Sequence, residues 1–105
     1  MRDVSTVSLQ ALFLLNNPMI HTASSGFAKS LLAAESDPAA RLRLAFMRAY
    51  ARPPSETELQ RALAFLKRYD ESLAEEGVDR SSWELESWSA LARTMLASNS
   101  LFYVD

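Results

Sequence analysis

The sequence contains no cysteine. Disulfides, thiolate metal sites and cysteine nucleophiles are therefore excluded, while the redox compartment stays open. There is a single histidine, His21. One imidazole cannot supply the several nitrogen or sulfur ligands that a zinc site needs, so no metal is expected. Glycine occurs twice and proline four times in 105 residues, and valine, isoleucine and threonine are scarce. That shortage disfavours sheet, and the abundant alanine and leucine favour helix. Phosphate loops and paired-glycine dinucleotide motifs are missing, as is a G-x-S-x-G nucleophile elbow. No cofactor is expected. No segment reaches the length of about 20 apolar residues that spans a membrane. The most apolar run, residues 9–15, is interrupted by Gln10 and ends at Asn16-Asn17-Pro18. The first residues lack the charged start, apolar stretch and small-residue cleavage site of a secretory signal. A piece cut from a larger exported protein would look the same.

Eleven basic residues face thirteen acidic ones, for a net charge of -2. Nucleic acid requires a basic face, so it is not an expected partner. Arg41, Arg43, Arg48 and Arg52, then Arg61, Lys67 and Arg68, interleave with acidic residues and read as a solvated surface. With 49% hydrophobic residues, a chain of this size has the makings of one domain with a core. Folding would hide roughly two-thirds of the surface that the unfolded chain exposes.

Punctuation divides the chain into five helical stretches. The first covers residues 6–16. It is short and apolar on most sides, with Leu9, Leu12 and Phe13 on one face and Ala11, Leu14 and Leu15 on the other, so it should be largely buried. Asn17-Pro18 pairs an N-cap with proline at the first helical position. The second stretch, 18–35, places Ile20, Ala23, Phe27 and Leu31 at helical spacing. Gly26 within it costs about 1 kcal/mol relative to alanine; it either permits close approach of another helix or is simply tolerated. Asp37-Pro38 repeats the cap-plus-proline signal. The third stretch runs to residue 51, with Leu42, Ala45, Phe46 and Ala49 inward and Asp37 and Arg41 ordered for an i,i+4 pair.

Arg52-Pro53-Pro54 stops that helix, because residues before proline are pushed out of the helical region. Ser55 and Glu58 then form a capping box. The fourth stretch has the clearest stripe: Leu59, Ala62, Leu63, Leu66, Tyr69 and Leu73. It ends near Glu76, with Gly77 as the left-handed cap. Residues 81–84 offer a second capping box through Ser81 or Ser82. The fifth stretch points Leu85, Trp88, Leu91, Ala92, Met95 and Leu96 inward and stops at Asn99. Residues 101–105 form a short tail in which Phe102 and Tyr103 dock on the bundle. The fold class is all-α, a compact bundle of about five helices with a docked C-terminal tail.

Few residues could carry chemistry. His21 could act as a general base only with an orienting partner and a substrate pocket; without that constellation, a structural or surface role near the start of the second helix is favoured. Gln10, Asn16 and Asn17 either line a small polar pocket or cap helix ends and tie the first two helices together. The cap positions already explain Asn16 and Asn17. Arg52 and Glu58 bracket the double proline. They form either an arginine–carboxylate clamp or part of an anion site at the next helix N-terminus. Glu56 and Glu58 in that first turn would repel an anion, which favours the clamp. Trp83, Trp88, Phe102 and Tyr103 form either a ligand or partner patch or core, and helical spacing favours core.

Three stretches carry a resemblance: residues 4–18, VSTVSLQALFLLNNP; residues 51–59, ARPPSETEL; and residues 88–99, WSALARTMLASN, followed by 102–105, FYVD. In order and spacing they are similar to a domain of unknown function abundant in planctomycetes and related bacteria. That family's domain closes large exported proteins that often carry a cytochrome-c-like module near their start. The resemblance implies an extracytoplasmic or envelope location, and that residues 1–105 are one helical domain forming the C-terminal part of a longer protein. The family usually has a glutamate-phenylalanine pair where Ser100 and Leu101 stand. It often has glycine where this chain has Ala51. It brings no assigned catalytic residues.

Two functions follow as expectations. The first is a non-catalytic helical module that packs on other domains of the same protein or on a protein partner. The second is a component of a multidomain enzyme or redox protein whose active site lies mainly upstream. A cleft gathering Gln10, His21, Arg93 and Asn99 would favour the second, and an exposed apolar face the first. The two ends of the chain are expected to close one unit, the first helix packing among the later ones and Phe102 or Tyr103 covering the same core.

Overall fold

Asn17 opens the first described helix as the cap-plus-proline signal requires: its side chain accepts a hydrogen bond from the Met19 amide at 2.8 Å. The structure, a computed structural model, describes residues 17–104, with side chains described to residue 97. Helix α1 is Pro18–Ala34, α2 is Pro38–Tyr50, α3 is Glu56–Glu75 and α4 is Trp83–Val104. A single 3-10 turn, Arg80–Ser82, precedes α4. The described residues contain no strand, and the chain is a compact all-α bundle. The expected helix over residues 6–16 lies outside the described residues. So does the docking of Phe102 and Tyr103. Helix α4 continues through Val104, so the helix does not stop at Asn99 as its sequence suggested.

Local chemistry accounts for most boundaries. Asp37 accepts from the Ala40 amide at 3.0 Å and starts α2. Ser55 and Glu58 make both halves of a capping box at the start of α3. Gly77, with φ 78°, ends α3. The Val78 amide donates to the Leu73 carbonyl and the Gly77 amide to Ala74, the paired bonds of a Schellman closure. The second capping box, at Ser81 or Ser82, does not form. An N-cap residue must be extended, whereas Ser81 and Ser82 already belong to the 3-10 turn that feeds α4. Ser81 instead donates to the Asp79 carboxylate at 2.7 Å.

The core gathers Ala28 and Leu31 of α1, Leu42, Ala45 and Phe46 of α2, Ala62 and Leu66 of α3, and Trp88, Leu91 and Met95 of α4. Each large side chain among them contributes roughly 1.5–3 kcal/mol on burial. From Ser87 to Ala92 every residue of α4 is buried, which makes α4 the central element. The inward face of α1 is rotated from the one expected. Ser24, Ala28 and Leu31 are buried, while Ala23 is exposed and Ile20 and Phe27 are half-buried. Ser24 can be buried because its hydroxyl donates to the Ile20 carbonyl one turn back. Gly26 faces open space, with nothing within 4 Å of where a Cβ would sit; no other helix approaches it among the described residues.

Candidate functional site

The best-defined polar cluster sits at the corner between α2 and α3. Helix α2 ends as Ala51 turns into the left-handed region, φ 58° and ψ 30°, with its amide still donating to the Met47 carbonyl. The turn swings Arg52 back toward the start of α3. Arg52 Nη1 and Nη2 donate to Glu58 Oε1 and Oε2, both at 2.8 Å, in a bidentate fork. Nη1 also donates to the Pro53 carbonyl at 3.2 Å. Glu58 Oε1 accepts in addition from the Ser55 amide at 2.8 Å, so one carboxylate both caps α3 and clamps the corner.

Aromatic rings floor this corner. The Arg52 guanidinium lies 5.8 Å from the Phe46 ring centroid and 5.7 Å from that of Tyr50, a cation–π arrangement. Those two rings meet edge to face at 5.3 Å, and the Tyr50 hydroxyl donates to the Met95 carbonyl of α4 at 3.4 Å. The Arg52 guanidinium holds the Glu58 carboxyl down to about 2, from an ordinary 4.5. The same pairing raises Arg52, and burial raises the Tyr50 hydroxyl. Near neutral pH none of the three is poised to exchange a proton. The fork of Arg52 is filled by Glu58, and a carboxylate occupies the ground an anion would need. The clamp is the geometry observed, and the anion site is not.

A second cluster was not foreseen. Arg41, taken from its sequence as a solvated residue paired with Asp37, is buried. Its Nε donates to the Glu35 carbonyl at the end of α1. Its Nη1 donates to Glu84 of α4 at 2.7 Å, and its guanidinium lies 5.6 Å from the Trp88 ring centroid. One side chain thus joins the end of α1, the first turn of α2 and the start of α4. Asp37 is spent on its cap instead. Nothing local in the sequence pairs Arg41 with Glu84, which lies far along the chain. The available signal was position: Arg41 adjoins Leu42 and sits one turn before Ala45 on the apolar stripe of α2. A third tie, Ser87 donating to Asp70, joins α3 to α4. Ser87 is buried, so its hydroxyl is closed to a substrate.

Of the remaining sequence candidates, only Asn17, His21 and Arg93 have described side chains. Asn17 is consumed as a cap. His21 is exposed on the first turns of α1, and Arg93 is half-buried on α4. Gln10, Asn16 and the Asn99 side chain lie outside the described residues. The cleft that would gather Gln10, His21, Arg93 and Asn99 is therefore not seen among the described residues. Among these residues no group of three or more histidine, aspartate or glutamate side chains is arranged to hold a metal ion. No helix among them is long and apolar enough to cross a membrane. Trp88 is core at 5% exposure, and Trp83 donates its indole N–H to the Val78 carbonyl at 2.9 Å.

A family model matches residues 1–66, more than half of the chain. The chain belongs to the PSD1 family, described as a protein of unknown function (DUF1553). The match spans α1, α2, the Arg52–Glu58 corner and the first half of α3. This PSD1 chain matches no curated protein and no solved structure.

Proposed function

We propose that this PSD1 chain is a non-catalytic helical module that packs against other domains of a larger exported polypeptide. The observation that carries the reading is the use made of its polar side chains. Arg52 with Glu58, Arg41 with Glu84, and Ser87 with Asp70 each bind one element to another. These groups are closed on each other and hold the bundle in shape, and neither His21 nor Arg93 is a partner in these bonds. A scaffold of this kind presents a fixed surface and performs no bond-making of its own.

Hydrogen exchange tests this reading, comparing the chain alone with the chain inside its longer polypeptide. A docked module gains protection over a continuous surface segment, with the core amides unchanged. No segment gaining protection would overturn the proposal. An activity of the longer polypeptide that disappears on His21→Ala or Arg93→Ala, with the fold intact, would instead make the chain a component of an enzyme.

A further inference from the structure

We draw no further inference here: the strongest candidate, the outer face of α1 where Met19 is 78% exposed beside a shallow depression lined by Pro18, Thr22 and Ala23 and which continues to the open Gly26, is a run of small and apolar side chains unpartnered among the described residues, and nothing in the structure shows what covers it.

Discussion

Replacing Ala51 with glycine should stabilise the fold. Ala51 is the one non-glycine residue with positive φ among the described residues. An L-residue in the left-handed region costs roughly 1–2 kcal/mol, because its Cβ crowds the following carbonyl. Glycine escapes that cost but gives the unfolded chain more freedom, which offsets about 0.4–1 kcal/mol. The Ala51 methyl is exposed, so its removal forfeits little burial. The balance is a gain of about 0.5–1 kcal/mol for Ala51→Gly. The reciprocal change is Gly77→Ala. Gly77 has φ 78° and open space around a would-be Cβ, so the backbone term acts alone and about the same amount should be lost. Urea unfolding measures both. With a slope near 1.5 kcal/mol/M, the midpoint should rise by about 0.3–0.7 M for Ala51→Gly and fall by a similar amount for Gly77→Ala. A lowered midpoint for Ala51→Gly, at unchanged slope, would refute the strain argument.

Three further outcomes are expected. Gly26→Ala should raise stability by about 1 kcal/mol, since the site is helical and open; a drop in melting temperature would mean that another element approaches it closely. Glu58 has a depressed folded pKa, so its contribution is fully present above the ordinary 4.5 and is lost as pH falls from there through about 2. Arg52 and Glu58 side chains are 52% and 35% exposed, and solvent screening holds the pair to about 1 kcal/mol or less. Glu58→Gln should accordingly flatten the acid limb of a stability-versus-pH curve over that window; parallel acid limbs would contradict the clamp's electrostatic role. Glu84→Ala should cost about 1–3 kcal/mol by stripping the partner from the buried Arg41 guanidinium, and a melting curve identical to that of the parent would show that the Arg41–Glu84 bond carries no weight.

Much of the fold was legible because helix ends are written locally. Asn17, Asp37, Ser55 and Gly77 each satisfy free backbone groups within a few residues, and short-range chemistry of this kind is visible in a string of letters. The Arg52–Glu58 clamp was visible for the same reason, since its partners flank one turn. The misreadings have other causes. Arg41 looked solvated because its carboxylate lies on another helix. The inward face of α1 includes Ser24 in place of Ala23, because the Ser24 hydroxyl bonds the carbonyl one turn back. The 3-10 turn removed Ser81 and Ser82 from the extended geometry a cap requires. The Arg41 contacts are a consequence of how the helices meet, and the order of residues along any single helix does not contain them.

The boundary of the family match bears on what folds as a unit. The match stops at residue 66, part-way along α3, and Leu66 is itself a core residue. The same core contains Trp88, Leu91 and Met95 of α4. Three of the polar or aromatic ties from the matched part also end on α4: Arg41 on Glu84, Arg41 over Trp88, and Tyr50 on the Met95 carbonyl. With α4 removed, Leu31, Leu42 and Phe46 would each lose cover worth up to roughly 1.5–3 kcal/mol, and the Arg41 guanidinium would lose its carboxylate. Marginal stability, typically 5–15 kcal/mol for a whole protein, leaves little room for such losses together. The helices that carry the family match therefore depend on a helix outside it.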